Sequence, residues 1–240
     1  MRFLLTESEA LYIKDRYKFS QLLGLNSNQD IKEGTEEALK DKGIIYLNND
    51  YWELSYAYRL LFSQWEKMQY SLVRPDINTN IRLQCLLCNN TATIFFDRNK
   101  DNLCIDMIDF SVEKLEQLFC ALAELPTDSK SKQRFNISMS VEEYEEFISS
   151  CSTEEFYRWQ KKLGIASDLL EEYVHTMNSQ IDSQLLMVED HLNDVGYMAK
   201  FIVTDKSIFA VKHVTYSDEN EKIVMLLGDT QYIVDSIYNF

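Results

Sequence analysis

Six glycines and two prolines are spread over 240 residues, too few for a flexible tether or a series of tight loops. None of the glycines (Gly24, Gly34, Gly43, Gly164, Gly196, Gly228) falls in a G-x-G-x-x-G or GKS/T pattern, which removes the loops that cradle nucleotide phosphates. Positive charge is also scarce: 24 Lys and Arg stand against 39 Asp and Glu, a formal charge of −15. A surface of that sign repels phosphates, so neither nucleic acid nor an anionic membrane is expected as a partner. No segment approaches the roughly 18 consecutive apolar residues of a membrane helix. The apolar stretch in MRFLLTESEAL at 1–11 is too short for a signal-peptide core and turns acidic at once. A soluble, cytoplasmic chain is expected.

Histidine is rare as well: His175, His191 and His213 fall on different segments with no shared motif. Cysteine is present five times (Cys85, Cys88, Cys104, Cys120, Cys151), an odd number lying mostly in apolar runs, where a reduced thiol acts as a small hydrophobe. Cys85-Leu86-Leu87-Cys88 has half the spacing of a zinc site, but no second pair of ligands follows. A redox pair normally opens a helix. This one lies in a strand, with its thiols on opposite faces. No metal, cofactor or catalytic residue is assigned.

What the chain has is apolar content, 45 % hydrophobic and 12 % aromatic, ample for a core without disulfide or metal staples. Its one polar, breaker-containing stretch is PTDSKSKQR at 126–134, near the middle. It reads as a connection between an N-terminal half, 1–125, and a C-terminal half, 135–240, which are separate units or parts of one compact domain.

The halves repeat one another. Each opens with apolar residues and a capping box, Leu5-Thr6-Glu7-Ser8-Glu9 and Met139-Ser140-Val141-Glu142-Glu143, in which a hydroxyl and a glutamate satisfy each other's backbone amides. Phe3, Leu5 and Ile13 keep the frame of Ile137, Met139 and Phe147. Both opening regions reach Leu-Gly-apolar, Leu23-Gly24-Leu25 and Leu163-Gly164-Ile165, as where a glycine ends a helix. Three short strands then read as RLQCLLC at 82–88, TATIFFD at 91–97 and LCIDMID at 103–109. Their counterparts are KFIVT at 200–204, SIFAVKHVTY at 207–216 and KIVMLLG at 222–228. An amphipathic helix closes each half, 111–123 with Ser111 as N-cap and 230–240 with Thr230 as N-cap. The expected fold is therefore α+β: two pseudo-symmetric halves, each of helices, an antiparallel three- to four-strand meander and a helix.

Between the matched parts the halves differ. The first inserts a polar helix at 30–45 leading into a strand-like 44–47, then a helical stripe of Tyr58, Leu61, Phe62, Trp65 and Met68. The second carries Leu170, Val174, Met177 and Ile181 in the same role. Periodicity leaves open whether 71–75 and 184–190 are strands or helix ends. The segment 5–54 also has the order of a winged helix, two helices, a third at 35–42 and a hairpin. A DNA reader puts Lys or Arg along that third helix, whereas Glu33, Glu36 and Glu37 outweigh its lysines. A winged-helix regulator with a C-terminal sensing domain is the alternative reading. An enzyme built around His213 requires a polar pocket there.

The opening LTxxE helix, the Leu23-Gly24-Leu25 break, WELSYAYRLLFSQW at 52–65, the meander and DFSVEKLEQL at 109–118 together resemble the EspG-like chaperone family of bacterial type VII (ESX) secretion systems. The resemblance spans nearly the whole chain and is one of pattern and order. It implies two pseudo-symmetric halves sharing a central sheet flanked by helices, with no catalytic residues. It also implies a cytoplasmic role holding a helical secretion substrate, WxG-type or a related effector, soluble until export. The polar meander turns occupy matching positions and are expected to rim the partner surface: Arg98, Asn99, Lys100 and Asp101 in the first half, Ser217, Asp218, Glu219 and Asn220 in the second.

Overall fold

Thr6 and Ser140 do the same local work in the two halves. Each hydroxyl accepts the amide three residues on, from Glu9 at 3.1 Å and from Glu143 at 3.2 Å, and each glutamate accepts the amide of its cap. Both caps sit at the end of a strand. The structure is a computed structural model that describes residues 1–20, 22–25, 29–74, 82–99, 101–127, 131–179, 183–216 and 220–238. It divides into two compact units, Met1–Leu118 and Phe119–Phe240.

The first unit runs β1(Arg2–Thr6), α1(Glu7–Tyr17), α2(Thr35–Asp41), β2(Ile45–Asn48), β3(Tyr51–Leu54), α3(Tyr56–Trp65), β4(Tyr70–Arg74), β5(Arg82–Cys88), β6(Ala92–Asn99) and β7(Asn102–Asp109); the boundary between the units falls within α4(Val112–Leu122). Strands β4 to β7 form an antiparallel meander, and β1 adds to its far side against β7. Strands β2 and β3 make a separate hairpin. Alternation along β5 to β7 turns Leu87, Ile94, Phe96, Leu103 and Ile105 to one face, where they bury with Ile13, Leu61, Phe62 and Trp65 of the helices. Trp65 donates its indole N–H to Leu23 O at 2.9 Å. Each such fully buried side chain contributes about 1.5–3 kcal/mol of transfer free energy.

The second unit runs β8(Phe135–Met139), α5(Val141–Ile148), α6(Thr153–Leu163), α7(Ser167–Asn178), β9(Gln184–Asp190), β10(Val195–Val203), β11(Ile208–Thr215), β12(Glu221–Gly228) and α8(Thr230–Tyr238). Its meander, β9 to β12, is again antiparallel, and β8 joins against β12 as β1 does against β7. One topology thus occurs twice. On one face Phe209, Ile223 and Met225 pack with Phe147, Trp159 and Tyr173 from α5 to α7. Phe147 meets Trp159 edge-on at 5.4 Å, and the Tyr173 hydroxyl donates to Ala210 O at 2.7 Å. On the other face Phe119 of α4 meets Phe201 edge-on at 6.4 Å.

Several expectations change. The apolar openings are strands, because Phe3 and Leu5 alternate with exposed neighbours and bury on the sheet. Of the segments left open, 71–74 belongs to strand β4 and 184–190 is strand β9, while residue 75 lies outside the described residues. Helix α1 ends at Lys18, itself left-handed at φ 61°, well before Gly24; Gly164 does end α6, at φ 72°. The cap of α8 is Asp229, which accepts Tyr232 N at 2.9 Å, while Thr230 is in the first turn and donates to Pro126 O. Strand β10 starts at Val195, five residues before the expected KFIVT. Among the described residues one helix, α1, precedes α2, where the winged-helix order has two.

Candidate functional site

Sheet rows in the second unit decide what α5 to α7 cover. In the row Leu185, Lys200 and Val211, Lys200 reaches back to the last turn of α7, its ammonium 3.5 Å from Met177 O. The helical layer ends there. Two residues further along β10, Met198 stands opposite Met187 on β9 and His213 on β11. Met187 and Met198 are 41 % and 45 % exposed, on strands whose alternate residues, Leu186, Val188, Tyr197 and Ala199, are buried on the other face. The next row is Glu189, Gly196, Thr215 and Glu221. A thioether pair is thus open to solvent, with two carboxylates beyond it and a glycine between them that raises no side chain. Leu192, 62 % exposed in the β9–β10 turn, and Tyr216, after β11, lie at the same end of the sheet.

His213 Nε2 is 3.1 Å from Glu221 Oε2, both side chains partly exposed. The pair lies on the same sheet face as the methionines. Methionine is unbranched and polarisable, so a surface of this kind adapts to varied apolar shapes. Among the described residues no group of three His, Cys, Asp or Glu is placed to hold a metal.

The polar turns named from the sequence are placed as follows. Asn220 is exposed at the methionine end of the sheet and accepts Tyr216 N at 3.0 Å. Lys100, Ser217, Asp218 and Glu219 lie outside the described residues. Arg98 turns inward: its guanidinium pairs with Glu7 at 3.1 Å and donates to Gly24 O, the two side chains being 19 % and 4 % exposed. Asp101 accepts Glu7 N at 2.7 Å through its carbonyl and pairs with Lys32 through its carboxylate, while Asn99 is exposed beside it. In the first unit this turn braces the start of α1. The methionines were missed because Gly196 hid the start of β10 and Met187 lay in a run of undecided type. The available signal was alternation, Tyr197 and Ala199 against Met198 and Lys200.

Two buried groups complete the chemistry. Cys85 and Cys88 are both buried on β5, and burial pushes the Cys88 thiol up to about 12, which keeps it protonated and unreactive. Lys212, on the face of β11 opposite His213, is 8 % exposed with its ammonium 4.0 Å from the centroid of the Tyr197 ring. The ring favours the charged form, but loss of water prevails and pulls its pKa down to about 8.

No family model matches the chain, and no curated protein matches it in sequence. The fold does have a counterpart among solved structures. It matches the Mycobacterium tuberculosis type VII secretion system chaperone EspG5, solved in complex with the PE25–PPE41 dimer, with a TM-score of 0.60. The match covers 99 % of this chain and 94 % of that one at 8 % sequence identity, so the likeness is one of mixed α+β fold.

Proposed function

We propose that this chain is a non-enzymatic chaperone of a type VII secretion system, acting in the cytoplasm to keep a helical secreted protein soluble until export. The observation that carries the reading is the fold likeness to EspG5 over 99 % of the chain. The open row of Met187 and Met198 supports it, since an amphipathic helix presents an apolar stripe that adaptable thioethers accommodate. Glu189 and Glu221 in the next row favour a partner whose stripe is bordered by Lys or Arg. The substrate is a WxG-type protein or a related effector with an aggregation-prone apolar tip.

Co-expression of the tagged chain with the helical proteins encoded beside it tests this. A partner insoluble alone should become soluble, co-purify, and be lost on Met198→Glu. If none of these proteins is solubilised or retained, the reading fails.

A further inference from the structure

The β2–β3 hairpin turns through Asn49 and Asp50, both left-handed at φ 48° and 68°, and pairs Asn48 with Tyr51, Leu47 with Trp52 and Tyr46 with Glu53. In a two-residue hairpin the pair next to the turn is hydrogen-bonded, so the N–H and C=O of the next pair, Leu47 and Trp52, point outward along the two edges. The β3 edge is occupied there: Trp52 O accepts the Tyr17 hydroxyl at 3.2 Å. At Leu47 the β2 edge is open, and among the described residues no hydrogen bond engages its outward N–H and C=O. Open edges are normally blunted by lysine or proline, and Ile45-Tyr46-Leu47-Asn48 has neither. Leu47 is 57 % exposed and Tyr46 44 %. Tyr51, 75 % exposed, lies diagonal to Tyr46 on one face of the hairpin. Among its described residues the second unit builds the same meander without any such hairpin, so the meander does not require this aromatic edge.

We propose that the β2 edge docks an extended polypeptide segment bearing Lys or Arg, which adds as a third strand. Unpaired main-chain groups call for an extended chain, and the local charge sets its sign. Lys40 is tied to Glu36 at 2.6 Å, Lys42 to Glu9 at 2.7 Å, and Arg59 lies 3.9 Å from Glu53. Exposed Glu37, Asp41 and Asp50 remain as surplus negative charge around the hairpin. Lys40 already sits 4.5 Å over the Trp52 ring, the contact that an incoming cation would make on Tyr46 or Tyr51. Main-chain bonds supply the affinity and these side chains the choice of sequence. This surface is separate from the methionine row and does not depend on the chaperone reading.

The test uses the full chain and a fluorescein-labelled peptide of alternating lysine and valine, followed by anisotropy. Three comparison probes are the same peptide with every second amide N-methylated, a glutamate–valine peptide, and the Tyr46→Ser/Tyr51→Ser variant, checked for fold by circular dichroism. Saturable binding of the basic peptide, weakened about tenfold or more by methylation and by the double substitution and unchanged in Met198→Glu, is the expected result. Equal binding of the methylated or acidic peptide, unchanged binding by the double variant, or no saturation overturns the proposal. A concentration-dependent dimer in sedimentation, lost on Leu47→Pro, assigns the edge to a second copy and overturns it too.

Discussion

Gly24 lies against the ring of Phe96 so closely that a Cβ on the glycine would stand 2.4 Å from Phe96 Cζ. Phe96 is fully buried and cannot swing away, and Gly24 is also left-handed at φ 79°. Gly24→Ala should therefore cost about 2–4 kcal/mol, the sum of backbone strain and overpacking. Gly43→Ala shares the backbone sign, φ 66°, but meets nothing within 4 Å, and should cost about 1 kcal/mol. Urea denaturation of the two variants reads the difference, and equal losses would remove the packing argument.

The duplicated capping boxes should have diverged in strength. Glu9 is buried and also holds Lys42 at 2.7 Å, while Glu143 is partly exposed and holds Lys162 at 2.8 Å. Glu9→Ala should cost about 2 kcal/mol, through lost capping and an orphaned amide, and Glu143→Ala about 0.5–1 kcal/mol. Thermal melts of the single variants provide the measurement; a larger loss at Glu143 contradicts the burial argument.

Lys212 gives stability an alkaline dependence. Its folded pKa, about 8, lies below the ordinary 10.5. The penalty for burying its charge is complete below pH 8 and is relieved as pH rises toward 10.5, so this group makes the fold more stable with rising pH in that window. Burial holds Tyr173 and Tyr197 un-ionised and opposes this above pH 10. The readout is therefore the difference between wild type and Lys212→Met. The variant should be more stable by about 2 kcal/mol at pH 7, with the gap closing between pH 8 and 10. A gap independent of pH would show that charge is not its cause.

Replacing Met187 and Met198 by glutamate should leave stability within about 0.5 kcal/mol, because both side chains face water on an ordered sheet. The same change should abolish retention of a helical partner in pull-down. Retention equal to wild type would move the docking surface elsewhere.

Local patterns carried much of the fold. The meander strands were legible because short apolar runs end in Asn89-Asn90, 98–102, Asp205-Lys206 and 217–221, and α3 because Leu61, Phe62 and Trp65 recur at helical spacing and all bury. Strands β1 and β8 were not legible. Five residues directly before a capping box look like a hydrophobic staple until β7 and β12, each roughly ninety to a hundred residues further along the chain, supply their partners. The candidate site was harder still. Whether Met198 is core or surface depends on where α7 stops over the sheet, a long-range fact that no window around Met198 contains. Arg98 looked like a solvated turn residue for the same reason, since its partners Glu7 and Gly24 lie far back in the chain.

All three imidazoles fall between residues 175 and 213, each beside a glutamate: His175 with Glu171 at 3.7 Å, His191 with Glu189 at 3.5 Å and His213 with Glu221 at 3.1 Å. Only His213 shares a row with Met198. The chain therefore carries its own spectroscopic reporters. In a proton NMR spectrum, three ring signals suffice to separate occupancy of the methionine row, which shifts His213, from a change at the distant helical surface, which shifts His175.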